Sequence, residues 1–243
     1  MASGRHVIGE EISVDSWPVL AIAGIATILL TLLSLPLGSF ALGLLFWLAH
    51  ILRKPNRVSP DSPSHILAPS DGIILDIQSD YFPNHQHGVD PLPALRITIM
   101  TRLSDVQAHL SPISGHVTDN VLLPGLFTKW GDKEASWQAA REINERREIR
   151  IRDKYQRDVV LVQFGSRTAR QLVCRLGEGK FVRAGDHLGT ARIAGVCDVY
   201  VPKSTISRIV EGQQVLAGET VLASFATERK RVPKGASTRS GDV

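Results

Sequence analysis

From Trp17 to Leu52 the chain carries no charged side chain, and its polar groups there are a few serines and threonines and His50. As one continuous helix this stretch would be ~54 Å long at ~1.5 Å per residue, well beyond a hydrocarbon core of ~30 Å. A chain with such a front has to bend it. Pro36 with Gly38 supplies the break, which predicts two short apolar helices, Pro18 to Ser34 and Phe40 to Leu52, in a hairpin that enters one leaflet and returns. One tilted span and burial in a soluble core are the competing arrangements. A cleavable signal peptide is not expected, because the apolar region is too long, begins too late and lacks a clear small-residue cleavage site. Arg53, Lys54 and Arg57 follow it directly. By the positive-inside rule they place the following domain in the cytoplasm.

The 43% of hydrophobic residues in 243 is enough for one substantial core besides this front. The expected organisation is an N-terminal tail over 1–16, the membrane hairpin over 17–52, a polar linker over 53–64, a β-rich domain over 65–225 and a basic tail over 226–243. The net charge of +4 is modest, but Arg229, Lys230, Arg231, Lys234 and Arg239 concentrate it in a Pro/Gly/Ser-containing tail that should be disordered. Such a tail is either simply solvated or drawn to anionic lipid headgroups, at ~1 kcal/mol per basic residue near the surface. No aromatic or groove-reading element accompanies the charge, so nucleic acid is not an expected partner. The two cysteines, Cys174 and Cys197, fit a reducing compartment, and no Cys/His spacing resembles a zinc site.

Beyond the linker the pattern is mainly β, with some α. Gly72 to Ile77 reads as a strand, as does Leu95 to Thr101, where Leu95, Ile97 and Ile99 alternate with Arg96, Thr98 and Met100. Lys133 to Asn144 is the best helical segment. Arg147 to Arg152, a turn through Asp153-Lys154, and Val159 to Phe164 read as a hairpin. An internal repeat follows: Gly179-x-x-Val182-x-x-Gly185-Asp186-x-Leu188 recurs as Gly212-x-x-Val215-x-x-Gly218-Glu219-x-Val221. Each copy puts Gly where a sharp turn needs positive φ and an apolar residue where the returning strand faces inward. Paired hairpins of this kind predict a barrel-sandwich hybrid, like lipoyl and biotinyl domains. A carrier role is not expected, since neither copy presents a modifiable Lys between apolar neighbours at a hairpin tip.

Several blocks then stand in a recognisable order. They are Arg53-Lys54-Pro55, Ala68-Pro69-Ser70-Asp71-Gly72, Asp105-Val106 through Pro112 with Gly115, Pro124-Gly125-x-Phe127, Asn144-Glu145-Arg146, Val162-Gln163 through Cys174, and Asp198-Val199-Tyr200-Val201-Pro202. Singly each is weak; in this order, behind an apolar hairpin, they make the chain resemble the short-form bacterial and archaeal phosphatidylserine decarboxylases over most of its length. The resemblance implies a bacterial inner-membrane enzyme, a carboxy-lyase of phospholipid biosynthesis that converts phosphatidylserine to phosphatidylethanolamine. It also implies a proenzyme that cuts itself at a Gly-Ser bond, yielding a heterodimer of its own cleavage products with a pyruvoyl group at the new N-terminus. That ketone serves the family as an electron sink for loss of carbon dioxide.

The cleavage site is where this chain departs from the family. Ile193-Ala194-Gly195-Val196 stands where the family carries Phe-Gly-Ser-Arg, and Phe164-Gly165-Ser166-Arg167 stands where it carries Ile-Ala-Gly. Gly195 has no hydroxyl, so no pyruvoyl can form there. The reciprocal exchange makes Gly165-Ser166 the replacement bond, provided the two strings are neighbours across a pseudo-twofold. A thiol version at Cys197 lacks the preceding Gly. Asp71 matches the family's Asp, the base or the orienter of a base for self-cleavage; an Asx-turn before a strand is its plain structural role. The family's Asp-Val-His reads Asp105-Val106-Gln107 here. Gln cannot shuttle protons at neutral pH; His109 is the candidate substitute if the segment is extended, and a purely structural His is the other reading. His85, His87 and His116 are further candidates for proton transfer, with a plain surface role the favoured reading for each. The competing reading is a catalytically inactive homologue that binds lipid or a partner. An efflux-pump adaptor is not expected, because the repeat leaves no room for a long helical hairpin.

Overall fold

The computed structural model describes residues 11–12, 17–54, 57–60, 62–83, 90–102, 105–130, 134–167, 172–174, 176–191 and 195–226. The basic tail, His85 and His87, and Ile193-Ala194 lie outside them.

The apolar front forms two helices, α1 (Trp17–Leu33) and α2 (Leu35–Ile51), packed as a hairpin. The break falls at Ser34, whose φ of −163° and ψ of 128° are extended, so α2 starts five residues earlier than the Phe40 expected. Pro36 sits in the first turn of α2, where its missing N–H costs nothing. Gly38 has a different use from the one expected: a Cβ there would overlap Thr31, so it lets the two helices approach. Neither helix is long and apolar enough to cross a membrane.

The remainder is mainly β and antiparallel. Its strands are β1 (Glu11–Ile12), β2 (Arg53–Lys54), β3 (His65–Leu67), β4 (Gly72–Tyr81), β5 (Pro93–Thr101), β6 (Ala108–Leu110), β7 (Gly115–Leu123) and β8 (Arg146–Arg152). There follow β9 (Asp158–Phe164), β10 (Leu172–Cys174), β11 (Phe181–Val182), β12 (His187–Ala191), β13 (Gly195–Pro202), β14 (Ile206–Ser207), β15 (Gln214–Val215) and β16 (Val221–Ser224). One helix, α3 (Glu134–Ile143), interrupts them as the sequence predicts. The main curled sheet runs β11-β7-β8-β9-β13-β5-β4-β15, with two three-stranded sheets, β10-β12-β6 and β14-β16-β3.

These orders read the same from either end. Gly115 opens β7 and Gly72 opens β4. Each pairs with a two-residue strand, through Val182 and Val215, and each strand carries an irregularity just beyond, between Val117 and Asp119 or between Ile74 and Asp76. The run of partners His116, Arg152, Asp158 on one side matches Ile73, Met100, Val196 on the other. Since β9 and β13 pair through Leu161 and Val199, the local twofold passes through that pair. All four repeat glycines adopt the left-handed conformation, Gly179 at φ 80°, Gly185 at 83°, Gly212 at 80° and Gly218 at 73°, as their turns require.

The interior of the curl holds Ile66, Ile74, Ile97, Ile99, Ile149, Leu161, Val199 and Leu222, all essentially inaccessible. Val160, Val162, Phe164 and Tyr200 form a second cluster on the opposite face. Strand β9 is thus covered on both sides, which is why it reads as a continuous apolar run. On that outer face, α3 is pinned by Arg141, whose Nε donates to the fully buried Asp198 at 2.8 Å. Burial pushes the Asp198 carboxyl up, against the pull of Arg141.

Candidate active site

Three of the sequence blocks converge on one peptide bond. The segment at Leu126 runs beside Asn144 as a parallel bridge, with Leu126 N–H on the Ile143 carbonyl at 2.7 Å and Glu145 N–H on the Leu126 carbonyl at 2.9 Å. Gly125 is required for this approach, since a Cβ there would meet the Asn144 and Glu145 backbone. Leaving β9, Gly165 docks on that pair, its N–H donating to the Glu145 carbonyl at 2.7 Å. The Phe127 ring lies 3.0 Å from where a Gly165 side chain would begin, so only glycine fits without displacement. The Gly165 carbonyl accepts a hydrogen bond from Asn144 Nδ2 at 2.9 Å.

Ser166 follows, 5% exposed, and lines a cavity of about 220 Å³ together with Gly195, Met100, Thr101, Lys129 and Trp130. Val196 and the exposed Arg167 complete its wall. The cavity joins the two exchanged strings: Phe164 pairs with Val196, and Gly195 pairs with Thr101 on the far side. They are cross-strand neighbours, although not twofold mates. The axis through Leu161 and Val199 carries the end of β9 to the end of β13, so Ser166 corresponds to a position beyond Pro202, at the other end of the sheet.

Asp71 and His109 do not line this cavity. Asp71 stands behind its wall: its carbonyl accepts the Thr101 hydroxyl at 2.8 Å. Its carboxylate makes a two-pronged ion pair with Arg57, 2.7 Å for the Nη2 to Oδ2 arm, and accepts the Ala217 N–H at 2.8 Å. The expected Asx-turn is therefore a long-range backbone cap. At the twofold-related position Ser114 accepts the Ala184 N–H at 2.9 Å, so the cap itself needs no charge. His109 lies in β6, 4% exposed, its Nδ1 without a hydrogen-bond partner. Burial first, and then nearby His187, lower its pKa to about 4 against the pull of Asp71. Gln107, in place of the family's His, is buried and donates to the Arg102 and Asp105 carbonyls at 3.0 and 2.8 Å.

Cys197 is buried beside Ser70, at 3.2 Å, and desolvation pushes its thiol up to about 12, leaving it no thiolate character. His116 is on the surface, its Nδ1 3.2 Å from the Gly179 carbonyl. No group of three or more metal-ligating side chains occurs among the described residues. Asn144 was visible in the sequence only as part of a block. Its contact with a carbonyl 21 positions away leaves no local pattern to read.

The comparisons agree with the order of the blocks. The family model described as phosphatidylserine decarboxylase matches residues 44–223. A relative named phosphatidylserine decarboxylase proenzyme from Azorhizobium caulinodans is 34% identical over 211 residues, 87% of this chain and 88% of the relative. Proteins of the same name from Paramagnetospirillum magneticum and Cereibacter sphaeroides are 30% and 32% identical, over 89% and 84% of this chain and 88% and 86% of their own lengths. With three quarters of its length matched, and its altered strings brought together at one cavity, this chain belongs to the phosphatidylserine decarboxylase family.

Proposed function

We propose that the protein is a phosphatidylserine decarboxylase whose pyruvoyl group arises from Ser166. One observation carries this reading: Ser166, just beyond the end of β9, and Gly195, at the start of the adjacent β13, line the same cavity. Moving the Gly-Ser bond from β13 to β9 keeps the product in the same pocket.

Self-cleavage consumes only the chain and water. Ser166 Oγ gives up its proton and attacks the Gly165 carbonyl carbon; the Gly165–Ser166 C–N bond breaks, and the amine takes a proton, leaving an ester. Loss of the Ser166 Cα proton then breaks the Cβ–Oγ bond. It releases Gly165 as a carboxylate terminus and leaves a dehydroalanine, which water hydrolyses to a pyruvoyl end and ammonia. Ser166 is nearly buried, yet lines the cavity, so a three-carbon pyruvoyl group, with no more heavy atoms than the serine it replaces, fits at its position with one side open. When present, that group supplies the electron sink for decarboxylation.

The rest of the site suits an aminoacyl phospholipid headgroup. Lys129 and Arg167 offer cations for its phosphate and carboxylate, while Met100, Trp130 and Val196 exclude water from the carboxylate that leaves. Asp71 acts on the cavity indirectly, its carbonyl holding the Thr101 hydroxyl of the wall while its carboxylate is paired with Arg57; His109 lies outside the cavity.

The hairpin supplies access to the lipid, with the β domain on the cytoplasmic face of the inner membrane. Ile22, Ile25, Leu32, Leu33, Phe40 and Phe46 are each 60% exposed or more, far more apolar surface than a soluble helix pair carries. Thr27 and Thr31 satisfy their hydroxyls on helical carbonyls, both at 2.8 Å. Trp17 and Trp47 both fall toward the open end, where aromatic residues favour the interface. The basic tail adds attraction to anionic lipids, and the twofold arrangement supports a barrel-sandwich architecture for 65–225. On a density gradient the full chain should float with neutral vesicles, to which the basic tail is not drawn, and a chain lacking 1–52 should not; equal behaviour removes the membrane assignment.

For the reaction itself, Ser166→Ala should stay a single chain and release no carbon dioxide from phosphatidylserine. A decarboxylating Ser166→Ala variant would end this reading.

A further inference from the structure

We propose that Asn144 is a catalytic residue of the self-cleavage step, the donor that stabilises the oxyanion formed at Gly165, and that Thr128 positions it. The inference rests on cleavage at Gly165–Ser166 and adds the group that activates the carbonyl there.

Asn144 is 2% exposed, and each polar atom of its side chain is committed. Oδ1 accepts the Thr128 N–H at 2.9 Å and the Thr128 hydroxyl at 2.7 Å. Because a backbone N–H only donates, this contact fixes which end of the amide is oxygen. Nδ2 therefore faces the other way, donating to the Thr128 carbonyl at 3.1 Å and to the Gly165 carbonyl at 2.9 Å. The second of these oxygens is the one that becomes negative when Ser166 Oγ adds to its carbon. A preset, desolvated donor at that oxygen strengthens as charge develops, which is the requirement for lowering this barrier. The surrounding fold holds the acceptor equally firmly, through the Gly165 N–H on the Glu145 carbonyl at 2.7 Å and the Phe127 ring against Gly165.

The test follows cleavage of freshly synthesised full-length chain in time. Hydroxylamine is added to parallel samples to trap the ester as a Gly165 hydroxamate. Asn144→Asp keeps both acceptor contacts to Thr128 but replaces the donor with a negative group, and should slow cleavage by ~100-fold or more. Thr128→Val removes only the hydroxyl contact that orients the amide, and should slow it by roughly 10-fold while the melting temperature stays near wild type. In both variants the hydroxamate should fall in step with cleavage, since the affected step precedes the ester; a merely structural defect would show instead as a lowered melting temperature.

Folded Asn144→Asp cleaving at the wild-type rate overturns the proposal, as does hydroxamate that accumulates while the pyruvoyl chain lags. If Asn144→Asp does not fold, Thr128→Val decides: unchanged cleavage in that variant rejects the assignment. An uncut wild-type chain fails the underlying cleavage reading instead, and is distinguished at once.

Discussion

Asn144 and His109 are both buried polar residues, and they differ in what the fold gives them. Asn144 has hydrogen bonds at both ends of its amide, whereas His109 Nδ1 has no hydrogen-bond partner and its pKa is lowered to about 4. The unfolded imidazole takes a proton below about pH 6.5, while the folded one resists until near pH 4, so acid favours unfolding across that window. The stability that His109 permits is fully present above about 6.5 and lost as the pH falls toward 4. Between pH 7.5 and pH 5 this amounts to about 2 kcal/mol. Urea unfolding of His109→Gln should show that much less loss on acidification than wild type; an unchanged pH dependence would mean that His109 does not titrate in this way. At this scale the sequence was readable where chemistry is local, as in the Phe164-Gly165-Ser166-Arg167 string. The Asn144 contact and the Arg57 ion pair with Asp71 join residues far apart in the chain, which neither spacing nor periodicity records.

Elements were most legible where one residue type had one physical use. The apolar front, α3, the β8–β9 hairpin and the left-handed repeat glycines all follow from patterns in the sequence. Strand β4 runs on to Tyr81, beyond the Ile77 expected, because its later part stays paired with β5 and cross-strand pairing is invisible to local alternation. The repeat glycines also divide into two kinds. Gly179 and Gly212 have open space where a Cβ would go; at Gly185 a Cβ would overlap Ser59, and at Gly218 it would meet Leu110 at 2.9 Å. Gly212→Ala should therefore cost ~1–2 kcal/mol, the left-handed penalty alone. Gly218→Ala should cost at least ~1 kcal/mol more, because packed atoms must also move. Denaturant midpoints of the two variants, measured in parallel, check this; equal losses would show that Ser59 and Leu110 yield freely.

For the molecule as a whole, the twofold explains both the repeat and the limits of the exchange at the cleavage strings. It relates the Gly72 and Gly115 ends of the sheet, but the feature that keeps the altered site coherent is the simple adjacency of β9 and β13. The repeat made the architecture legible in the sequence; the strand order that sets β9 against β13 was not. The central claim is that this adjacency lets Ser166 do the work that Gly195 cannot. Intact-mass spectrometry of the purified protein tests it most directly. The account predicts two chains, an N-terminal one ending at Gly165 and a C-terminal one beginning with a pyruvoyl group in place of Ser166. A single uncut chain carrying an ordinary N-terminus would contradict it.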